Sequence, residues 1–286
     1  MNVYNEKDVY FIVEIGQNHQ GSIDIAKKMV DSLDGLPVSC FKTAKRDIDV
    51  CLSEEQKNMI YENPNSFGKT YYEHRKNLEL SKDYFVELKN YVEGKGYDFI
   101  SSFTDDNSLD FLSEIGVSGL KIASQRLTDL SLLTKAAETK LPTVISSGMS
   151  DIEDIDAVVS LFGGVEKYLL QCTSIYPCQI EDLNLNVIPA FVERYGESVN
   201  GYGFSGHHIG ISPDIAAYML GSRIIERHYT LSRSMKGTDH AASLEKKGVE
   251  NVLKYINQIK KSMGSNVKTV LDGEIPAMKK LRGACS

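Results

Sequence analysis

Eight short apolar runs recur along the chain, and each of them ends in a polar or ionisable residue. The runs occupy residues 10–14, 38–42, 98–102, 119–124, 143–147, 168–173, 201–207 and 223–228. The segments between them repeat apolar residues at helical spacing, which is typical of amphipathic helices. Alternating strands and helices predict parallel pairing, and eight strands favour closure. The predicted fold class is therefore α/β, a (β/α)8 TIM barrel with functional groups at the carboxyl ends of its strands.

Serines in front of the apolar stripes predict where several helices begin. Ser22 and Ser81 are predicted N-caps, and Ser150 forms a capping-box pattern with Glu153. Ser212 stands before a proline, which suits the first position of a helix. We therefore expect each helix to lay one apolar face on the barrel.

One connection is much longer than the others. Almost forty residues separate Lys42 from the helix expected after Ser81, and they include the polar, aromatic stretch 63–75. Long loops in compact domains are usually functional or disordered. We expect residues 63–75, with Asn65 among the side chains that bind hydroxyls, to form a loop that covers the substrate.

Length and charge narrow the class of protein. The 286 residues fit one barrel domain over 1–265 and a short C-terminal extension over 266–286. The net charge is −7, and the 32 basic residues are scattered, so neither nucleic acid nor an anionic membrane is an expected partner. The amino terminus has no signal-peptide pattern, and no apolar stretch approaches the length that spans a membrane.

The cysteines favour a reducing compartment. No C-x-x-C pair occurs, so neither a zinc knuckle nor a disulfide framework is expected. A cytoplasmic location fits this pattern. The five cysteines are Cys40, Cys51, Cys172, Cys178 and Cys285.

Two histidines end neighbouring strands of the predicted barrel. His207 ends the seventh run and His228 ends the eighth, so their imidazoles could meet over one metal ion. Two protein ligands would leave the ion open to water and substrate, as a catalytic site requires. The alternative is that one or both are hydrogen-bonded barrel histidines without a metal.

Buried lysines and hydroxyls recur at the same level of the barrel. Lys42 and Lys121 end the second and fourth strands inside apolar sequence, where an ammonium group must be paired. Together with hydroxyl groups they could hold a phosphate and a carboxylate, although any single serine could be structural. The candidate serines are Ser102, Ser124, Ser146 and Ser205.

Two acidic residues lie in otherwise apolar strands. Glu14 and Glu226 are candidates for proton transfer, and the alternative is a salt bridge to a barrel lysine or to Arg223.

A series of motifs resembles the N-acetylneuraminate (sialic acid) synthase family, in order and spacing, from about residue 10 to residue 264. The resemblance implies a barrel that condenses phosphoenolpyruvate with an open-chain sugar aldehyde, releases phosphate and forms a 3-deoxy-2-ulosonic acid. It also implies a divalent metal ion, Mn2+ or Mg2+, and we expect a homodimer. The motifs are VEIGQNHQG at 13–21, KRD at 45–47, NSFGKTYYEHR at 65–75, KIAS at 121–124, SSGM at 146–149, CTSIYP at 172–177, IERH at 225–228 and GTDHAASL at 237–244.

The resemblance also assigns roles to individual residues. It implies that His207 and His228 bind the metal, and that Tyr176 and Asp239 face the sugar. Glu14 and Glu226 fall on conserved acids of the family, and the expected catalytic residues are Glu14, Lys42, Lys121 and Glu226. The implied phosphoenolpyruvate site consists of Lys42, Ser102, Lys121, Ser124, Ser146 and Ser205.

Some positions depart from the family pattern, mainly on the sugar side. Ala44 occupies a position where the family usually has glutamine, and Arg126 one where it usually has an acid. Ser174 replaces the usual asparagine, and Gly206 replaces the usual aspartate. The chain also continues only about twenty residues past the last barrel helix, so we expect no antifreeze-like domain of the kind the family usually carries.

These departures lead to an expectation about the sugar acceptor. An arginine beside the sugar would favour an acceptor with phosphate or carboxylate, rather than plain N-acetylmannosamine, and we expect Arg126 to bind it. The alternative is that Arg126 pairs with Asp105 or Asp106. We further expect the loop 63–75, or a neighbouring subunit, to cover the sugar.

Two other functions remain open from the sequence. A desolvated lysine in a barrel could form a Schiff base, which would make the protein an aldolase. A non-catalytic homologue that binds phosphoenolpyruvate or sugar is the third hypothesis. Retention of both histidines, both lysines and Glu14 favours the enzyme.

Overall fold

A computed structural model describes residues 9–282 and confirms the predicted TIM barrel. Eight parallel strands close on themselves in chain order, so that β1 pairs with both β2 and β8. The strands are β1 (Tyr10–Gly16), β2 (Cys40–Lys45), β3 (Asp98–Phe103), β4 (Gly119–Ile122), β5 (Thr143–Ser146), β6 (Lys167–Cys172), β7 (Gly201–Gly206) and β8 (Ile224–His228).

Helices follow the strands and cover the outside of the barrel. They are α1 (Ile23–Ser32), α2 (Ile48–Cys51), α3 (Glu54–Asn58), α4 (Tyr71–Leu78), α5 (Lys82–Gly94), α6 (Asp106–Ile115), α7 (Leu130–Glu138), α8 (Ile152–Leu161), α9 (Val187–Tyr195), α10 (Ser212–Met219), α11 (Lys246–Ser262) and α12 (Ile275–Arg282). The last of them lies in the predicted C-terminal extension.

Two of the predicted helix starts are confirmed, and two are wrong by one residue. The hydroxyls of Ser22 and Ser81 accept hydrogen bonds from the first turns of α1 and α5, as expected. Helix α8 is capped by Asp151 rather than Ser150, because the Asp151 carboxylate accepts from Asp154 N at 3.1 Å. Helix α10 begins at Ser212, after Ile211.

The long connection after β2 is partly helical, so the expectation of a loop over 63–75 is wrong beyond residue 70. Helix α4 begins there because Thr70 and Glu73 form a capping box. The segment also packs on itself: His74 is buried, with the ring of Tyr61 at 4.5 Å and that of Phe67 at 6.0 Å between centroids.

The barrel interior changes character from one end to the other. Alternate strand residues point inward, as the two-residue period of a strand requires. The inward residues at the lower levels are apolar, whereas those at the carboxyl ends are polar, and the polar layer positions the candidate site. The lower layers form an apolar cluster of Tyr10, Ile12, Cys40, Ile100, Val144, Tyr168, Leu170 and Ile224.

The described residues show the state of the cysteines and the character of the helices. Cys40, Cys51, Cys172 and Cys178 are free thiols, as predicted, and Cys285 lies outside the described residues. Between residues 9 and 282, none of the helices has the length and apolar character needed to cross a membrane.

Candidate active site

A cavity of about 270 Å³ opens at the carboxyl ends of the strands. This is the face on which barrel enzymes place their chemistry. Most of the predicted site residues meet there although they come from all parts of the chain. The predicted residues that line the cavity are Glu14, Lys42, Ser102, Lys121, Ser124, Ser146, Tyr176, Ser205, His207, Glu226, His228 and Asp239.

The cavity floor consists of two lysines and two glutamates, all of them buried. Strand register brings them together, because Glu14 of β1 lies beside Lys42 of β2. The Lys42 ammonium contacts the Glu14 carboxylate. Glu226 Oε1 lies 3.6 Å from Lys121 Nζ and 4.0 Å from Lys42 Nζ. The salt bridges considered for the two acids are thus present, but they lie inside the site and form one network.

The two floor carboxylates have opposite proton affinities. Burial raises the pKa of Glu14, and its contact with Lys42 only partly opposes this effect. Burial also acts on Glu226, but Lys121 and Lys42 outweigh it and lower the pKa of that carboxyl to about 2. Burial lowers the pKa of the Lys121 ammonium. Carboxylates whose pKa values are driven apart commonly divide acid-base roles between them.

Hydroxyl groups surround the charged floor. Ser205 Oγ donates to Glu226 Oε1 at 3.0 Å, and Lys121 Nζ donates to Ser146 Oγ. Ser102 of β3 is the register partner of Lys121, and Ser124 Oγ lies 3.6 Å from the Cys172 thiol. The recurrence of serine at one level of the barrel therefore corresponds to one polar layer.

The two histidines face each other across the strand ends. Their ring centroids are 5.4 Å apart. His207 Nδ1 donates to the Thr173 carbonyl at 2.9 Å, an arrangement that orients the ring and leaves Nε2 available. Burial lowers the pKa of His228 to about 4, so its imidazole is neutral at pH 7.

These two imidazoles suit a metal ion that is bound by few protein ligands. His228 Nδ1 is buried without a hydrogen-bond partner among the described residues, which a ligand could satisfy. Within residues 9–282 no group of three His, Cys, Asp or Glu side chains forms a metal site. The two-histidine site stays a prediction, and it would leave most coordination positions open, as in catalytic centres.

Two predicted sugar residues stand next to the histidines. The Tyr176 ring lies 4.0 Å from that of His207, centroid to centroid. Asp239 Oδ2 is 3.8 Å from His228 Nδ1, and Asp239 Oδ1 accepts from Gln17 Nε2 at 3.0 Å. The side of the cavity expected to face the sugar is therefore adjacent to the expected metal position.

The other two predicted sugar residues do not line the cavity. Arg126 ends a 3-10 turn after β4, and its Nη1 lies 3.5 Å from Asp129 Oδ2, so its ion-pair partner is Asp129 rather than Asp105 or Asp106. Gln125 reaches the cavity in its place. Asn65 Oδ1 instead accepts from Gly237 N at 3.2 Å and ties two connections together.

Sequence reasoning missed several residues that line the cavity, among them Arg46, Arg75 and Cys172. The first two lie in the motifs 45–47 and 65–75, which was the only available signal, since neither ends a predicted strand. Cys172 ends β6 at the level of the other strand-end groups. Burial opposes its ionisation, but a contact with His207 lowers its pKa to about 7.

The packing of His208 outside the cavity accounts for glycine at position 206, where the family pattern has an aspartate. Arg227 points away from the cavity and donates to Asp214 Oδ2 of α10 at 2.5 Å, and to the His208 carbonyl at 2.7 Å. A Cβ at position 206 would lie 2.9 Å from the His208 ring and 2.7 Å from the Phe204 ring. The position therefore needs glycine while His208 occupies that space.

Comparisons with known proteins agree with this geometry. The NeuB family model matches residues 29–268. The chain is 36% identical to N-acetylneuraminate-9-phosphate synthase of Homo sapiens over 274 residues, which cover 95% of this chain and 76% of the relative. It is 34% identical to N,N'-diacetyllegionaminic acid synthase of Legionella pneumophila, over 93% of this chain and 76% of the relative.

A solved structure supports the same relationship. The sialic acid synthetase of Leptospira borgpetersenii superposes with a TM-score of 0.81 at 28% identity, and the match covers 96% of this chain and 93% of that one. The resemblance drawn from the motifs is confirmed. The chain is therefore an enzyme that belongs to the NeuB family.

Proposed function

We propose that this enzyme condenses phosphoenolpyruvate with a sugar aldehyde, with the help of a divalent metal ion, to give a 3-deoxy-2-ulosonic acid and phosphate. The relatives that are named as N-acetylneuraminate-9-phosphate, legionaminic acid and pseudaminic acid synthases support this class of reaction. The observation that carries the proposal is the buried floor of Lys42, Lys121, Glu14 and Glu226 directly beside the histidine pair.

In the proposed reaction the floor holds the donor. Lys42 and Lys121 supply two ammonium groups for the phosphate and the carboxylate of phosphoenolpyruvate, and Ser102, Ser124 and Ser146 offer hydroxyls at the same level. Because these groups are buried, their interaction with an anion is less screened than in water. The serines can bind donor oxygens without adding charge.

Glu14 is the proposed proton-transfer group. Its raised pKa brings the carboxyl closer to neutral pH, where a group can both accept and release a proton. We propose that it assists the water that attacks C2 of the donor. Glu226 remains ionised and holds the two lysines in place.

His207 and His228 are the proposed metal ligands, and Mn2+ or Mg2+ are the proposed ions. A bound ion would polarise the aldehyde oxygen and so favour attack on the adjacent carbon. The protein's part is to orient the His207 ring through the Thr173 carbonyl and to keep His228 neutral. Tyr176 and Asp239 would then position the sugar.

The test is phosphate release from phosphoenolpyruvate with a panel of aldehydes, including mannose, N-acetylmannosamine and arabinose 5-phosphate. We expect turnover with manganese, loss of turnover with a chelator and recovery when metal is added back. His228→Ala should remove metal-dependent turnover while the circular dichroism spectrum stays unchanged. Full activity of this variant in a chelator would refute the metal assignment.

A Schiff-base aldolase is the second candidate, because burial lowers the pKa of the Lys121 ammonium and a neutral amine is a nucleophile. Its contacts with Ser146 and Glu226 favour a charged, donor-binding role instead. Treatment with pyruvate and borohydride distinguishes the two functions. We expect no covalent label on Lys121, whereas an aldolase would be labelled and inactivated. The homodimer and the cytoplasmic location stay predictions.

A further inference from the structure

Two arginines line the cavity in addition to the two lysines of its floor. Arg46 directly follows β2, and Arg75 lies on α4, the helix that the sequence did not predict. We call Arg46 and Arg75 the arginine pair. Neither residue has a part in the proposed handling of the donor.

The charge of Arg75 is not matched by an acid. Its Nη1 donates to the neutral side-chain amide of Gln17 at 2.9 Å. Among residues 9–282, no carboxylate oxygen lies within 4.0 Å of its guanidinium nitrogens. The side chain is nevertheless partly buried, so the cation is less hydrated than it would be on the open surface. Such a group normally needs a counter-charge.

The charge of Arg46 is only weakly matched. Its Nη1 is 3.8 Å from Glu79 Oε2, beyond hydrogen-bonding distance. The other oxygen of Glu79 already accepts from Lys45 Nζ at 2.6 Å and from the Arg46 backbone amide at 3.0 Å. Arg46 also acts unfavourably on Arg75: burial and then this neighbouring guanidinium lower the pKa of Arg75. An anion between the two arginines would offset both effects.

The arginine pair stands on the acceptor side of the cavity. Gln17 links Arg75 to Asp239, since it accepts from the arginine and donates to the carboxylate. Asp239 in turn lies beside His228. In the proposed reaction Lys42 and Lys121 hold the donor, so an anion at the arginine pair belongs to the other substrate. Ala44, a short side chain, leaves space on the same wall.

We propose that the arginine pair binds a phosphate ester on the sugar acceptor, at the end remote from its aldehyde. The inference rests on the proposed condensation, whose acceptor class it names. A planar guanidinium can bind two phosphate oxygens at once, which makes arginine the preferred residue for such a group. The specificity expected at first from Arg126 is thereby transferred to residues that do line the cavity.

Turnover of matched sugars tests the inference. The wild-type enzyme should turn over mannose 6-phosphate more efficiently than mannose. It should also turn over mannose 6-phosphate more efficiently than mannuronate, which carries a carboxylate where mannose 6-phosphate carries its phosphate. Arg46→Gln and Arg75→Gln should each reduce this preference by about tenfold to a hundredfold, the usual loss for a hydrogen bond to a charged group. The KM for phosphoenolpyruvate should not change. Arg126→Gln is the matched control, because that arginine pairs with Asp129 outside the cavity.

Binding without chemistry separates this inference from the proposed function. By calorimetry, mannitol 1-phosphate should bind more tightly than mannitol, and the difference should disappear in Arg75→Gln but persist in Lys121→Ala. If no aldehyde is condensed but this pattern holds, the subsite stands and the proposed reaction fails. If mannose and mannose 6-phosphate react equally, if mannuronate is preferred, or if the arginine variants weaken only phosphoenolpyruvate, the subsite is overturned.

Discussion

The floor of the cavity and the arginine pair carry charge in opposite ways. On the floor, two lysines are matched by two glutamates, and all four side chains come from barrel strands. The arginine pair comes from a loop and a helix, and its charge is largely unmatched. Under the proposed function, the barrel would supply a fixed, neutralised site for the donor, whereas the connections would supply the residues that select the acceptor.

The largest expected effect is on the floor. Lys121→Ala should weaken phosphoenolpyruvate binding by on the order of 2–5 kcal/mol, because it removes a buried, desolvated ammonium that pairs with the anion. Lys121→Arg should restore binding only in part, since the planar fork differs from a compact ammonium. Calorimetry measures both, with Lys135→Ala, an exposed lysine, as the control. Unchanged affinity in Lys121→Ala would remove this lysine from the donor site.

A smaller effect is expected on the acceptor side. Asp239→Ala should raise the KM for the acceptor by the equivalent of about 1–3 kcal/mol, the cost of losing a buried polar partner, and leave the KM for phosphoenolpyruvate unchanged. Steady-state kinetics with each substrate varied in turn separates the two. Asp106→Ala, which removes an exposed ion pair with Lys135, is the control. A rise in the donor KM alone would contradict the division between the two regions.

Gly16 lies where the two regions meet, and its backbone is left-handed, with φ of 54°. An added Cβ would lie 3.1 Å from Glu14 Oε1 and 3.3 Å from His228 Nδ1. Gly16→Ala should lower the free energy of unfolding by about 1–2 kcal/mol through its backbone conformation, and should also reduce turnover.

Gly116→Ala is the matched control for Gly16→Ala. Gly116 has φ of 66° and open space around the added Cβ, so the variant should lose stability but keep normal turnover. Urea unfolding and phosphate release are the two measurements. Equal turnover in both glycine variants would show that Gly16 has no special influence on Glu14.

The smallest effect is expected at Arg126. Arg126→Gln removes a partly exposed pair with Asp129 on the same turn, and such pairs contribute little. The stability should change by less than about 0.5 kcal/mol, and the preference among acceptors should stay the same. Thermal unfolding and competition between two sugars would measure this. A changed preference would return Arg126 to the acceptor site.

The strands and the floor could be predicted from the sequence because the two-residue period of a strand fixes which side chains point into the barrel. Once Glu14, Lys42 and His228 are assigned to strand ends, they must point into one cavity. No such period governs the connections. The 3-10 turn after β4 rotates each residue by about a third of a turn, so Ser124 and Gln125 face the cavity while Arg126 does not.

Arg75 was missed for a related reason. It reaches the cavity only because α4 forms within the long connection and is held there by its capping box. The polar, aromatic composition of 63–75 concealed that helix. Its direction also depends on tertiary contacts, such as the hydrogen bond between Arg75 and Gln17, which lie 58 residues apart.

The alternation along β8 limits how this protein can diverge. Glu226 and His228 face the cavity, while Arg227 between them is buried against Asp214 of α10. Insertion or deletion of one residue within this strand would turn the side chains of Glu226, Arg227 and His228 to the opposite face. The cavity would then lose Glu226 and His228, and the buried Asp214 carboxylate would lose its arginine partner. This strand therefore does not tolerate a change of length, whereas the connections do, so under the proposed function a lineage of such enzymes could acquire new sugars while retaining the same donor.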